Sequence, residues 1–331
     1  MPAAGPVFIA GPDRSGTTLM FALLASHPDL CMVRRTNVWR YFDGRYGDLG
    51  VADNFERCLA DMLRYRRMRH LHPDADRIRR EFAAGPPTYG RLFALFYEHH
   101  AEREGRSRWG DKSLHTEHYA DRLFAEYPQA RVVHMVRDPR DRYASVRRRN
   151  GQDLARVGAA TGRWLESARA ALRNAARYPG YLVVRYEDLV ADPPATLRRV
   201  CDHIAAEYLP EMLSLDGLPE LRDSGGNSSF GDMVPGAIST KAVGRFREAL
   251  RPYEHAFIER VAGPTMRALG YERVPPDLSW TAAVRFGAYD MPVQGARMLG
   301  WLALARLRRN RGEPLPAGRL VPSEGSKHGD S

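Results

Sequence analysis

The sequence is poor in lysine, in cysteine and in long apolar runs. Of its 50 basic residues only Lys112, Lys241 and Lys327 are lysines, so a lysine departs from the chain's habit and its position carries information. The Arg, Ala and Gly richness reflects a GC-rich coding sequence, so single surface arginines say little. Cys31, Cys58 and Cys201 are odd in number and far apart, with no CxxC pair and no metal-ligand spacing. That argues against a disulfide framework and a structural metal site, and for a reducing compartment. The longest apolar run, near 298–305, falls short of the roughly 18–20 residues that span a membrane. No basic region precedes the first apolar stretch at Val7. These absences lead us to expect a soluble, cytoplasmic protein.

What is present is a globular composition, 44% apolar, with 50 Lys+Arg against 40 Asp+Glu for a net charge of +10. That charge suits an anionic ligand, a nucleic acid or an acidic membrane surface without choosing among them. β-rich runs at 7–10, 131–136 and 181–184 alternate too little to be half-exposed, so they read as buried parallel strands. Helical periodicity separates them, at 16–26, 116–126, 139–149, 155–177, 195–207 and 252–268. In 155–177, Val157, Ala160, Trp164, Ala168, Leu172 and Ala175 recur on one face and predict core packing.

The fold class expected is therefore α/β: one phosphate-loop-like domain over 1–275, with a central, mainly parallel sheet flanked by helices. The Arg- and aromatic-rich span 34–105 carries no strand signal and reads as a helical insertion, either shaping an acceptor pocket or covering the sheet. After Pro275 follow a helical extension, 276–311, and a Pro-, Gly- and Ser-dense tail, 312–331, expected to be disordered. Within 296–309 the pattern is basic and amphipathic, which fits packing on the body or peripheral contact with a membrane or partner.

The first strand runs into Gly11-Pro12-Asp13-Arg14-Ser15-Gly16-Thr17-Thr18-Leu19 and an apolar helix. Strand, glycine-bearing turn and helix are the context of a phosphate loop: glycines admit close backbone approach, and successive amides with the helix N-terminus bind anions. Against G-x-x-x-x-G-K-[ST], the two glycines and Thr18 are in register, but Thr17 replaces the lysine and the cation sits inside the loop as Arg14. No acidic strand end suits Mg²⁺; Asp138, followed by Pro139, reads as a helix N-cap. A metal-assisted nucleotide or metabolite kinase is thereby the weaker alternative. A basic binding protein with an inactive fold is another, but no nucleic-acid recognition motif supports it.

The P-x-R-S-G-T-T-L form resembles the 5′-phosphosulfate loop of 3′-phosphoadenosine 5′-phosphosulfate (PAPS)-dependent sulfotransferases, in their bacterial, carbohydrate and tyrosylprotein branches. The similarity in motif order extends over about residues 7–250. It implies that Arg14, Ser15, Gly16, Thr17, Thr18 and Leu19 hold the 5′-phosphosulfate. Arg137 and Ser145, eight apart after the strand at 131–136, match the motif for the 3′-phosphate, with Arg149 a further basic position. Arg140, Arg142, Arg147 and Arg148 on that helix read as a solvated face. Tyr186, in Arg185-Tyr186-Glu187-Asp188, matches a residue that approaches the adenine. Lys241, Gly244 and Arg245 resemble the late loop that closes over the 3′-phosphate.

Lys112, in Trp109-Gly110-Asp111-Lys112, is a compact point charge, and the resemblance implies that it stabilises the sulfuryl group and the leaving phosphate in the transition state. Arg14 assists it. The general base is less legible, since arginines stand where some relatives carry a glutamate; His115 leads, with Asp111 and Asp43 behind. The resemblance implies PAPS as co-substrate, 3′-phosphoadenosine 5′-phosphate (PAP) as product, and no required metal. The acceptor, a hydroxyl or amine of a small molecule, glycan, lipid or peptide, is left open.

Overall fold

The computed structural model describes residues 5–150, 156–224, 226–227, 236–311 and 315. Five parallel strands, β1 (Val7–Ala10), β2 (Leu30–Arg34), β3 (Arg108–Lys112), β4 (Arg131–Val136) and β5 (Tyr181–Arg185), form one sheet in the order β2-β3-β1-β4-β5. The α/β class and the parallel sheet are as the sequence predicts. β2 was not: Leu30-Cys31-Met32-Val33-Arg34 is an edge strand paired only with β3, and its five residues lie between His27-Pro28 and a run of arginines. Its apolar signal is too short to stand out there.

Period two sorts the strand side chains. Phe8, Ala10 and Val132 face a core built with Phe55, Leu59, Leu92, Phe93 and Phe96 of the 34–105 span, which is helical throughout its regular parts. Val7, Ile9, Val133 and Met135 face the opposite core, under the helices Thr17–Ala25 and Pro193–Ile204. Each such buried side chain contributes about 1.5–3 kcal/mol, so both faces of the sheet are closed and function moves to its carboxyl edge. There the connections that leave β1 and β3 run in opposite directions along the sheet, the place where open α/β sheets bind ligands.

A third core joins the helices Pro139–Asn150, Val157–Arg177 and Pro252–Ala268 through Trp164, Leu165, Phe257 and Ile258. The expected apolar face of 155–177 packs here, although Ala175 at its far end is exposed. The helix expected over 116–126 is split into a 3-10 turn, Thr116–His118, and a helix, Ala120–Glu126, because Tyr119 leaves helical geometry at φ −106°, ψ 11°.

The arginines of Pro139–Asn150 correct the sequence reading. Arg140, Arg142 and Arg147 are 3%, 1% and 8% exposed rather than solvated, and only Arg148 faces water. Their partners come from far along the chain: Arg140 bonds Glu259 Oε1 at 2.6 Å, Arg142 bonds Asp13 Oδ1 at 2.6 Å, and Arg147 bonds Glu254 Oε2 at 2.8 Å. Helical periodicity cannot see such acids. Asp138 does cap this helix, accepting from the Arg140 amide at 2.8 Å.

The 276–311 extension ends in the helix Met291–Arg311, which lies along Val157–Arg177. Gly158 and Gly162 make the approach close: a Cβ on Gly158 would collide with the Gln294 carbonyl, and one on Gly162 would lie 3.0 Å from Met298 Cγ. Packing thus occupies one face, while Leu299, Leu304 and Leu307 stay half or more exposed. Among the described residues no helix is long and apolar enough to cross a membrane. The tail expected over 312–331 lies, apart from Leu315, outside the described residues.

Candidate active site

The phosphate loop is shaped by three left-handed backbones. Gly11 (φ 121°) lies so close to the Met135 carbonyl on β4 that no Cβ fits, and Gly16 (φ 87°), the N-cap of Thr17–Ala25, would place a Cβ 2.5 Å from the Tyr186 ring. Arg14 adopts φ 65° without being glycine, a strain characteristic of ligand clamps. The Ser15 side chain is fully buried and its hydroxyl has no partner among the described residues. A buried donor left unmade is costly, and an anion cradled by loop amides would satisfy it.

Arg137, at the carboxyl end of β4, ties three pieces together. Its guanidinium donates to the Arg14 carbonyl at 3.2 Å and to the Ala242 carbonyl at 2.8 Å, and lies 4.5 Å over the Tyr186 ring. Its Nε is buried without a partner among the described residues, a second orphan donor at the same place. The Trp164 indole donates to the Arg137 carbonyl at 2.8 Å and fixes that strand end. Ser145, one and a half turns into the next helix, accepts from Arg14 Nε at 2.9 Å. Two orphan donors, a helix N-terminus and two guanidinium groups are thus gathered at this edge of the sheet, where they can hold anions.

The late loop is held by a carboxylate that sequence reasoning missed. Asp141 accepts from the Gly244 amide at 2.6 Å and the Phe246 amide at 2.8 Å. Asn227 donates to the Tyr186 hydroxyl at 2.8 Å and clamps both backbone groups of Ser239. Lys241 is exposed, and Arg245, on the rim, pairs with Glu248 at 3.1 Å. Of the expected set, Arg14, Ser15, Gly16, Arg137, Ser145 and Tyr186 converge, whereas Lys241 and Arg245 border the site. The Arg149 side chain lies outside the described residues.

Lys112 ends β3 beside the loop, its Nζ 3.4 Å from Thr18 Oγ1. Burial, with Arg35 and Arg34 nearby, lowers its pKa to about 8. Asp111 points the other way along the strand: its Oδ1 accepts from Thr36 at 2.9 Å, and burial raises its pKa to about 6. Asp43 is held by Arg122. Neither acid borders the cavity described next, whereas His115 lines it. His115 has a left-handed backbone (φ 66°), its ring stacks on His118 at 5.7 Å, and burial lowers its pKa.

Behind His115 lies Glu117, fully buried. Burial opposes its ionisation, but His118, His134, His115 and the Ser167 hydroxyl bring its pKa to about 2. Its carboxylate accepts from Ser167 at 2.6 Å and, weakly, from the Gly11 amide at 3.5 Å. No metal was expected, yet the donor atoms of His115, Glu117 and His118 lie within 4.8 Å of one another, a spacing a divalent cation could use. A cavity of about 470 Å³ opens here, bounded by loop residues 11–13, His115, the helix Val157–Arg177 and the C-terminal helix. The 34–105 span contributes only Arg40 to its lining.

Comparison with known proteins gives the family and the fold. The model of the sulfotransferase family matches residues 6–210. Carbohydrate sulfotransferase 2 of Mus musculus is 40% identical over 94 residues, 28% of this chain and 17% of that protein, and the human protein matches equally. The matched stretch thus spans about a sixth of those relatives' length. The sulfotransferase domain of the Synechococcus PCC 7002 olefin synthase superposes with a TM-score of 0.52 at 21% identity, covering 83% of this chain and 98% of that one. The sulfotransferase domain from the curacin biosynthetic pathway gives 0.51 at 19% identity, covering 83% and 100%.

Proposed function

Because the chain belongs to the sulfotransferase family, we propose that it transfers a sulfuryl group from PAPS to a hydroxyl or amine acceptor by in-line displacement. The observation that carries the reading is the pair of anion seats at neighbouring strand ends, joined by Arg14 and Arg137, with Lys112 beside them. A singly phosphorylated ligand would leave one seat without its charge.

PAPS supplies the activated sulfur and a phosphate leaving group. The loop amides, Arg14, Ser15, Thr17 and Thr18 hold its 5′ end, and Arg137 and Ser145 hold its 3′-phosphate. Tyr186, packed against Gly16 and Arg137, stands where a base can lie on its ring. His115 takes the acceptor's proton as the acceptor oxygen or nitrogen bonds to sulfur. The bond from sulfur to the bridging oxygen breaks, the electron pair stays on PAP, and Lys112 meets that developing charge. A sulfuryl group carries less negative charge than a terminal phosphoryl, so cationic side chains and amides serve where a kinase uses Mg²⁺.

The test is calorimetry with PAP, and with ATP plus Mg²⁺, each with and without chelator. Chelator-resistant binding of PAP and none of ATP is expected. Tight ATP–Mg²⁺ binding without PAP binding would replace this reading with a kinase.

A further inference from the structure

The cavity beside the phosphate loop has the size of sites for small organic molecules. Its outer wall is the C-terminal helix, presenting Trp301, Leu304 and Arg308, and this helix lies outside the segment matched by the family model. The lining is apolar in part, with the planar Trp301 ring, Leu304 (55% exposed) and Leu114 (42% exposed) among its residues. It is also cationic, with the Arg163 guanidinium 5.3 Å over the Trp301 ring.

The charges facing the cavity do not cancel locally. Each acid is already engaged: Asp13 by Arg142 at 2.6 Å, Glu117 by Ser167 at 2.6 Å, and Glu166 by Arg309. Arg308 has no acidic partner among the described residues. A cation unpaired at the mouth of an apolar slot favours an occupant that brings its own anion. His115 on the inner wall places a proton acceptor at the loop end of the same space.

We infer that this cavity is the acceptor site, and that it selects a small hydroxyl compound with a flat apolar body and an anionic group, such as a carboxylate, directed to Arg308. The inference rests on the sulfuryl-transfer reading. It moves acceptor selection from the 34–105 insertion to the C-terminal helix. The hydroxyl lies toward His115 and the loop, the apolar body against Trp301 and Leu304, and the anion at the outer rim.

Three phenols of matched size test it: 3-(4-hydroxyphenyl)propanoate, its methyl ester and tyramine, titrated calorimetrically into PAP-saturated protein. One charged hydrogen bond corresponds to roughly tenfold in affinity or more, so the propanoate should bind about tenfold tighter than the ester, with tyramine weakest. Arg308→Glu should invert the order of propanoate and tyramine, and Trp301→Ala should weaken all three. Affinity for PAP should be unchanged in both variants. Arg308 is exposed, so its replacement leaves the fold intact even if Trp301→Ala does not. Equal binding of the three, no binding of any, or an order unchanged by Arg308→Glu would overturn the inference while leaving PAP binding, and the reading beneath it, standing. Failure of the wild-type protein to bind PAP would remove both.

Discussion

Arg14 Nε donates to Ser145 Oγ at 2.9 Å across 131 positions of sequence, joining the loop after β1 to the helix after β4. The side chain that enters the 5′ seat is therefore positioned by a residue of the 3′ seat. Arg137 repeats the connection from the other side by holding the Arg14 carbonyl. In the proposed function one connected set of groups reads both ends of the nucleotide.

Ser145→Ala should weaken PAP while leaving adenosine 5′-phosphosulfate, which lacks the 3′-phosphate, nearly unaffected. Loss of a hydrogen bond to a charged group corresponds to roughly 1.5–3 kcal/mol. Arg137→Gln should behave likewise for PAP. Paired titrations with the two ligands decide the assignment, and equal losses for both would remove it.

Lys112→Ala should depress turnover by about 10²–10³ with a much smaller effect on PAP affinity, as expected for a group that acts mainly in the transition state. Lys112→Arg should also be impaired, because a planar fork cannot occupy the same point. The pKa of Lys112, lowered to about 8, gives a sign for the alkaline side. The profile of kcat/KM should fall as pH rises through that value, and that limb should disappear in Lys112→Ala.

His115 has a pKa held below the ordinary histidine range by burial, so it is neutral and able to accept a proton at neutral pH. The acid limb of the activity profile should lie below histidine's usual pKa, and His115→Ala should lose that limb along with most turnover. A more acidic phenol, which needs less help in losing its proton, should recover much of the loss. A uniform loss across acceptors of different acidity would assign His115 to shape rather than proton transfer.

The strands that position the site were legible because buried parallel strands are continuous apolar runs, and Gly11, Gly16 and Arg137 were legible because loop and strand-end chemistry is local. The parts that stayed hidden depend on distant partners. Asp141 holds the 244–246 loop and Glu117 backs His115, yet neither carries a spacing that marks it. Arg140 shows the same limit, since Glu259 lies 119 positions away. The part that the C-terminal helix plays in lining the cavity was hidden for a similar reason. Nothing in 296–309 says that Gly158 and Gly162 will receive it, because a close helix approach is a property of two segments together.

Arg140→Met should be costly for the fold. Asp138 and Glu259 would both be left buried without this partner, and breaking a buried pair costs about 3–5 kcal/mol. A solvated arginine would change stability by no more than about 0.5 kcal/mol. Chemical denaturation distinguishes the two outcomes directly.

Asp111 and Lys112 are displaced in opposite directions, to about 6 and about 8, both by burial. For the aspartate, folded protein holds the proton more tightly than unfolded, so its destabilising effect is absent well below pH 4, grows between the two pKa values and is complete above about pH 6. For the lysine the effect is complete below about pH 8 and fades only as pH climbs toward the unfolded value of 10.5. Between those limits both penalties are in force together, in the same neutral range where the proposed transfer needs Lys112 charged. The end of β3 is a point where endurance and activity are opposed. Selection for thermal tolerance alone would replace Lys112 with an apolar residue of similar length, and the resulting protein would outlast the present one without carrying out its reaction.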